Sequence, residues 1–344
     1  MRRYVDPTLE DHRVLTIVTL ATSISDSPDV ASSLERYDIG DVSDVWLAED
    51  GIENTNYFVR TITTDHVVRE YVLTIVETQA AAPELLVPLL DACGAAGLPV
   101  ASPVLNSAGQ PTQRVHGKRT LLSPRLGGRH VSNPTLSQCS ALGRFIARFH
   151  LVSRDLANQA PDYPRTPDWL AEQARLAERH IPYSEFLLIQ NAIAQVRSLL
   201  GRTDVHALPK GIIHGDLFRD NVLFTERSLT GVLDFHHAAR GFWIYDLAVA
   251  ANDWCNDARG VLDPERTLAL LKSYHGIRPL LDAEMWFFPI FSVYAAVAFW
   301  MSRLSVALSK DPADTARYKN PAEFRDIVAQ LSAHFFYLDT RLLA

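Results

Sequence analysis

The pattern of hydrophobic and polar positions changes along the chain from strand-like to helix-like. The runs YFVRTIT (57–63) and YVLTIVE (71–77) are rich in Val, Ile, Thr and aromatic residues, which predicts two paired strands. KRTLLS (118–123) predicts another strand, and apolar residues at helical spacing predict a helix over 83–96. Further along, helical spacing dominates to the end of the chain, except for a compact β segment at 211–235.

This division predicts an α+β protein of two lobes, the first β-rich and the second mainly helical. We expect the lobes at residues 34–122 and 129–344, joined by a hinge at 123–128. Residues 1–33 precede them as a leader, and their mixed, Ser- and Asp-rich composition is typical of a poorly ordered segment.

Composition narrows the class of protein. The chain has 344 residues, 47% hydrophobic and 21% charged, which is a globular mixture with enough apolar material for a core. Its net charge of -7 disfavours non-specific binding to nucleic acid or to anionic membranes, so we expect neither partner. The uncharged run at 285–302 is short and contains Pro289, so we interpret it as a buried core helix and not as a membrane span.

The cysteines indicate a reducing compartment. Cys93, Cys139 and Cys255 are odd in number and far apart, which is unlike a disulfide framework or a zinc site. No signal peptide is evident at the N-terminus, where charged residues interrupt the apolar positions. We therefore predict a cytoplasmic protein, either a monomer or a homodimer.

The segment GIIHGDLFRDNVLFTERSLTGVLDF (211–235) carries the clearest chemistry. A hairpin would hold Asn221 and Asp234 at neighbouring strand ends, with Asp216 on the preceding loop. Phosphoryl transfer needs this set, because one Asp orients the attacking hydroxyl while carboxylate and amide oxygens hold Mg²⁺ on nucleotide phosphates. The spacing from His214 through Asp216 and Asn221 to Asp234 matches a kinase catalytic loop and its metal ligands.

A second segment, GIENTNYFV (51–59), precedes the predicted strand pair. Gly51, Asn54, Thr55 and Asn56 can present backbone N–H groups to phosphate oxygens, although a simple connecting turn has the same composition. We predict that this loop covers the nucleotide.

The chain departs from ordinary protein kinases. It has HGD in place of HRD, LDF followed by His236 in place of DFG, and no Lys in residues 1–117. The position of the usual third-strand Lys corresponds to Thr74. Either Arg60 or Arg69 supplies the missing cation, or Mg²⁺ and backbone donors suffice.

Several of these segments together resemble a known family, the aminoglycoside-phosphotransferase-like small-molecule kinases, and within it the homoserine kinases. The matching pieces are GIENTNYFV, EYVLTIVE, GLPV, HGDLFRDNVLF, YDLAVAANDWC, FWMSRL and KNPAEFR. The resemblance covers roughly residues 34–330. It implies a two-lobed, protein-kinase-like fold and a cytoplasmic enzyme of threonine biosynthesis that transfers the γ-phosphate of ATP, with Mg²⁺, to the hydroxyl of L-homoserine. The third-strand Lys is typically Thr in this branch, which agrees with Thr74.

The resemblance also suggests roles for individual residues. Asp216 would be the catalytic base, and His214 would support the loop more than transfer protons. Asn221 and Asp234 would bind Mg²⁺, while Gly51, Asn54, Thr55, Asn56 and Thr74 would bind the nucleotide.

Homoserine is a zwitterion, so its pocket needs a cation and an anion. Arg303 and Arg219 are candidates for the carboxylate, and Asp253 and Asp220 are candidates for the ammonium group. His236 stands beside Asp234 where an aromatic residue is more usual, and it is a candidate for the acceptor pocket. The competing interpretations are a structural salt bridge for Arg303, a solvated loop side chain for Arg219, and a helix cap or another structural role for Asp253.

Two other functions stay open from the sequence. One is a kinase of the same fold that acts on another amino alcohol, a sugar or an aminoglycoside. The other is a nucleotide-binding regulator without catalysis, which the intact Asp216, Asn221 and Asp234 argue against.

Overall fold

The chain divides into two compact units. The computed structural model describes residues 28–48, 54–76, 83–115, 117–257, 259–309, 319–334 and 339–343. The first unit comprises Met1–Thr78 and Pro103–Arg125, and the second comprises Gln79–Ser102 and Leu126–Ala344. Residues 79–102, assigned above to the first lobe, therefore group with the second unit. The exact lobe boundaries stay predictions.

The described part of the first unit is a helix and an antiparallel sheet. The elements are α1 (Pro28–Leu34), β1 (Asp41–Leu47), β2 (Thr55–Ile62), β3 (Val68–Ile75), β4 (Gln113–Val115) and β5 (Lys118–Pro124). The strand order is β1-β2-β3-β5-β4, and each neighbouring pair is antiparallel. The strands predicted near 57–63, 71–77 and 118–123 are confirmed.

One face of this sheet is buried together with α1. Val59, Leu73 and Leu122 lie on that face and share a core with Val30 and Leu34 of the helix. Side chains alternate between the faces of a strand, so the other face carries a mixture of apolar residues and polar ones such as Asn56 and Thr74. The helix belongs to the segment predicted as a leader, and packing therefore extends the first unit back to residue 28. The rest of the leader, 1–27, lies outside the described residues.

The second unit is mainly helical, as predicted. Its helices are α2 (Pro83–Ala95), α3 (Leu136–Val152), α4 (Pro167–Ala177), α5 (Tyr183–Leu200), α6 (Thr203–His206), α7 (Trp243–Trp254), α8 (Pro264–His275), α9 (Asp282–Ser309) and α10 (Ala322–Ala333). Thr135 caps α3, because its hydroxyl accepts from the backbone N–H of Gln138 and the Gln138 side chain accepts from the Thr135 N–H. Gly143 lets α3 pack closely on α8, since a Cβ there would collide with the carbonyl oxygen of Leu270.

The helix α9 contains the uncharged run at 285–302. By length and composition alone it could cross a membrane, with a mean hydropathy of 1.5 in its most apolar window, but 83% of that window is buried inside the protein. Phe288, Phe291 and Ala295 are fully buried, for example. A helix that is apolar on all sides is typical of a protein core. The prediction of a buried core helix is confirmed.

Four short strands lie within the described part of the second unit. They are β6 (Lys210–Ile213), β7 (Val222–Thr225), β8 (Ser228–Val232) and β9 (Ala239–Phe242). β7 and β8 form the predicted hairpin, whereas β6 pairs with β9, a strand that the sequence pattern does not indicate. The loops from β6 to β7 and from β8 to β9 carry the residues considered next.

Candidate active site

The loop between β6 and β7 brings Asp216 and Asn221 into contact. The Asn221 side-chain amide donates to the Asp216 backbone oxygen and to its Oδ2, both at 2.8 Å. The hairpin fixes the other end of the loop, because the Leu233 N–H donates to the Asn221 carbonyl at 2.8 Å. Asp234 follows Leu233 directly, so local hairpin geometry places it beside Asn221, as the sequence predicts.

Asp234 turns the chain out of the hairpin. Its backbone is left-handed, with φ 59° and ψ 62°, and its Oδ1 accepts the His236 N–H at 3.4 Å. One potential ligand atom each from Asp216, Asp234 and His237 lie within 4.8 Å of one another. Of these three, His237 is the one the sequence analysis did not select. Two carboxylates together with the nearby Asn221 amide form a hard oxygen donor set that suits Mg²⁺.

Asp216 has an unusual proton affinity. Burial by the surrounding protein raises its pKa to about 7, and the negative charge of Asp234 adds to this effect. The positive charges of His237, Arg165 and Lys319 oppose it. A carboxyl group that titrates near neutral pH is suited to exchange protons at neutral pH.

His214 is fully buried, and backbone groups occupy both nitrogens of its ring. Nε2 lies 2.9 Å from the carbonyl oxygen of Leu233, to which it can donate, and Nδ1 accepts the Asp216 N–H at 3.3 Å. Burial lowers the pKa of His214, which favours this neutral tautomer. The ring therefore fastens the loop that carries Asp216.

Asp246 on α7 holds the same loop through its backbone. Its carboxylate is fully buried and accepts the N–H groups of His214 and Gly215, each at 2.8 Å. His150 Nε2 lies 3.0 Å from the same carboxylate, and the other ring nitrogen lies 2.9 Å from the Tyr274 hydroxyl. Burial lowers the pKa of His150, so the neutral ring donates to Asp246 and accepts from Tyr274. Asp246 thus has a structural role.

The predicted nucleotide-binding residues lie in the first unit. Gly51 is outside the described residues, and Asn54 and Thr55 are part-buried at the start of β2. Asn56 and Thr74 face each other across β2 and β3, and the Thr74 hydroxyl donates to Asn56 Oδ1 at 2.8 Å. The two residues therefore form one polar position on the sheet face opposite the core.

The same face clarifies the choice between Arg60 and Arg69. Strand alternation puts Arg60 on the face of Thr74 and Arg69 on the opposite face. Arg60 donates to Glu70 at 3.0 Å, and Arg125 donates to the other oxygen of Glu70 at 3.0 Å. Of the two candidates, Arg60 is the one whose position agrees with a substitute for the missing Lys.

Comparison with known proteins identifies the family. A sequence profile described as the phosphotransferase enzyme family matches residues 45–280. The protein belongs to this family. A homoserine kinase of Pseudomonas aeruginosa is 38% identical to this phosphotransferase over 301 residues, which cover 86% of this chain and 92% of the relative. The expected family resemblance is confirmed.

Solved structures confirm the kinase-like α+β fold of the phosphotransferase. Amicoumacin kinase in complex with AMP-PNP, Ca²⁺ and Ami matches with a TM-score of 0.61 and 18% identity, over 88% of this chain and 93% of that chain. Spectinomycin phosphotransferase in complex with ADP and spectinomycin matches with a TM-score of 0.65 and 13% identity, over 89% and 97%. At these identities the likeness concerns the fold alone.

Two of the predicted substrate-binding residues of the phosphotransferase contact each other. Asp253 Oδ2 accepts the backbone N–H of Arg219 at 2.7 Å and its Nε at 3.1 Å, and Oδ1 accepts from Nη2 at 3.2 Å. Arg219 also donates to the carbonyl oxygen of Ser132 at 2.6 Å. These contacts fasten the turn at 219–221 to α7, which favours the structural interpretation of Asp253 and gives Arg219 a structural ion pair in place of a solvated side chain.

Arg303, on α9, also has a carboxylate partner. Its Nη1 donates to Glu323 at 2.6 Å and to the carbonyl oxygen of Asn320 at 3.2 Å, and its guanidinium stacks over Phe324 at 4.5 Å. This ion pair favours a structural role here as well. His236 is part-buried in the turn after Asp234, next to the potential metal ligands.

The sequence analysis missed Arg165, which is part-buried near Asp216. Its charge lowers the pKa of Asp216, and its guanidinium lies over the ring of Phe299 at 4.4 Å. The preceding segment, PDYP, has no motif-like spacing, and a single Arg before a helix gives no signal that reasoning from sequence could have used.

Proposed function

We propose that the protein transfers the γ-phosphate of ATP to the side-chain hydroxyl of L-homoserine. The observation that carries this proposal is the contact between Asp216 and Asn221 beside Asp234, in a member of the phosphotransferase enzyme family. Similarity to homoserine kinases over 86% of the chain supports the choice of acceptor.

Asp216 is the proposed general base. Its carboxylate accepts the proton of the acceptor hydroxyl while the hydroxyl oxygen forms a bond to the γ-phosphorus. The bond from that phosphorus to the β–γ bridging oxygen breaks, and ADP leaves. The raised pKa of Asp216, about 7, supports this role because the group can hold and release a proton near neutral pH.

Asn221 and Asp234 are the proposed Mg²⁺ ligands, and the donors around Asp216 fit that ion. When bound, Mg²⁺ neutralises the negative charge of the nucleotide phosphates. Asn221 has a further task, because its amide donates to Asp216 and orients the carboxylate. His214 and Asp246 are positioning residues that hold the loop and have no contact with the reacting atoms in this proposal.

The sheet face that carries Asn56 and Thr74 is proposed to bind the nucleotide, together with Asn54 and Thr55 at the start of β2 and with Gly51 shortly before them in the sequence. The hydrogen bond between Asn56 and Thr74 supports this role, since it presents a hydroxyl and an amide at one position. Arg60 is the proposed substitute for the absent Lys.

The first experiment measures ADP release with Mg-ATP against a panel of acceptors: L-homoserine, L-serine, L-threonine, choline, ethanolamine, a hexose and an aminoglycoside. We expect efficient turnover with L-homoserine and turnover at least about 100-fold weaker with the others. The Asp216→Asn variant, purified identically, controls for contaminating kinases. Efficient turnover with a different acceptor would overturn the choice of substrate, whereas ATP binding without any turnover would favour the regulator.

A further inference from the structure

The backbone around Arg165 is held rigidly. The Thr166 N–H donates to the Pro164 carbonyl at 2.9 Å, which makes Arg165 the centre of a tight γ-turn. The Arg165 carbonyl accepts the Tyr294 hydroxyl of α9 at 2.8 Å. These bonds fix the point from which the side chain projects, so the guanidinium needs little ordering when it binds a ligand.

The guanidinium itself is oriented by neighbours on α9. It stacks over Phe299 at 4.4 Å, and Nη2 donates to Ser302 Oγ at 3.4 Å. Phe299 in turn packs edge-on, at 4.4 Å, against Phe218, which follows Asp216 by two residues. Arg165 is thus connected to the catalytic loop through a single aromatic ring.

Tyr163 connects the same segment to the loop a second time. Its N–H donates to the Arg240 carbonyl at 3.0 Å, and its hydroxyl shares a 2.6 Å hydrogen bond with the Tyr245 hydroxyl. Its ring lies against Gly215, within ordinary contact distance of where a Cβ would stand. Arg165 and Asp216 therefore belong to one local assembly.

The charge of Arg165 has no carboxylate partner within 4.0 Å in the described part of the chain, in contrast to Arg219 and Arg303. Its contacts there are hydroxyl groups and an aromatic ring. A part-buried guanidinium is costly to leave without a counter-charge, and its planar fork of donors matches a carboxylate.

We propose that Arg165 binds the carboxylate of the amino-acid acceptor and so determines specificity for it. This inference rests on the proposed function, because an acceptor with its hydroxyl at Asp216 would bring a second charged group of the same small molecule to Arg165. The site would then prefer hydroxylated amino acids to amino alcohols of the same length.

The test compares L-homoserine with 3-aminopropan-1-ol, which has the same hydroxyl and amine and lacks the carboxylate. Calorimetric titration in the presence of a non-hydrolysable ATP analogue gives the affinity of each compound, whether or not it is phosphorylated. For Arg165→Lys we expect about 10- to 100-fold weaker binding of L-homoserine, from the loss of a charged two-point contact. Binding of 3-aminopropan-1-ol and of the nucleotide should change less than about threefold.

Arg175→Lys is the matched control, because Arg175 lies on the neighbouring helix α4 and is exposed in an ion pair with Glu172. It should leave both affinities unchanged. Equal weakening of both acceptors, equal weakening of nucleotide binding, or an unchanged affinity for L-homoserine in Arg165→Lys would overturn the inference. The steady-state assay separates this from the proposed function: wild-type protein that fails to phosphorylate L-homoserine contradicts the function, whereas active wild type with an insensitive Arg165→Lys contradicts only the role of Arg165.

Discussion

Two regions beside Asp216 are stabilised in different ways. The catalytic loop is held through its backbone: Asp246 accepts the N–H groups of His214 and Gly215, and the Leu233 N–H binds the Asn221 carbonyl. Around Arg165 the backbone is also held, by the Tyr294 hydroxyl on the Arg165 carbonyl, but the guanidinium itself is oriented by the side chains of Phe299 and Ser302 of α9.

This difference suggests that the catalytic loop determines the rate of transfer, whereas the Arg165 region determines which acceptor is used. A loop held by backbone hydrogen bonds keeps its geometry when surrounding apolar residues change, so the position of Asp216 is insulated from such changes. A guanidinium oriented by a ring and a hydroxyl moves when either is substituted. We therefore expect substitutions on α9 to alter the acceptor, and substitutions at the loop or at Asp246 to abolish transfer to any acceptor.

The largest expected effect is the loss of turnover in Asp216→Asn, a substitution in the catalytic loop. Loss of a general base typically lowers turnover about 10²- to 10⁴-fold. The fold and nucleotide affinity should persist, since the amide has nearly the same shape. The measurements are kcat with L-homoserine and calorimetric binding of an ATP analogue. A variant with near-normal kcat would contradict the role of Asp216.

Asp246→Asn tests how much turnover depends on the hydrogen bonds from the loop backbone to the Asp246 carboxylate. One amide group would face N–H donors in place of an acceptor, and each buried donor left without a partner costs about 1–3 kcal/mol. We expect about 10- to 100-fold lower kcat and a lower free energy of unfolding. Both should be measured well below the melting midpoint, with circular dichroism to confirm that the variant is folded.

If Asp246→Asn kept full turnover while losing stability, the loop would hold its active geometry without the anchor. The proposal that backbone hydrogen bonds to Asp246 keep the catalytic loop in its active geometry would then be wrong.

The catalytic loop and the potential metal ligands could be predicted from the sequence because these residues are close together along the chain. His214, Asp216, Asn221 and Asp234 lie close together in the sequence, on the two loops that flank the β7–β8 hairpin, and pairing between neighbouring strands follows from short-range patterning. The same reasoning found the paired strands β2 and β3, but the register that places Thr74 opposite Asn56 comes from the structure.

The proposed acceptor-binding residues could not be predicted from the sequence because they are far apart in the chain. Arg165 precedes α4, whereas Phe299 and Ser302 are about 135 residues later, and only tertiary packing brings them together. Arg303 is a candidate from sequence because a charge beside a long apolar run needs a partner. Glu323 is that partner in the structure, which the sequence pattern could not indicate.

Arg303→Lys tests whether Arg303 or Arg165 binds the carboxylate of the acceptor. Because Glu323 already matches the charge of Arg303, we expect the KM for L-homoserine to change less than about threefold. The measurement is KM for both L-homoserine and ATP, beside Arg165→Lys. A selective rise of the L-homoserine KM in Arg303→Lys would restore Arg303 as the carboxylate-binding residue.

The smallest expected effect concerns Tyr274, which is three hydrogen bonds away from the loop, through His150 and Asp246. Burial raises the pKa of its hydroxyl, which therefore stays protonated and donates to His150 Nδ1 at 2.9 Å. Tyr274→Phe removes this bond and the contact of the hydroxyl with Arg278, so we expect a loss of about 1–2 kcal/mol in the free energy of unfolding. Turnover should stay within about twofold, because Asp246 keeps both backbone contacts. Denaturant unfolding and kcat measure the two quantities, and a loss of turnover equal to that of Asp246→Asn would mean that the orientation of His150, and not the carboxylate alone, determines the position of the loop.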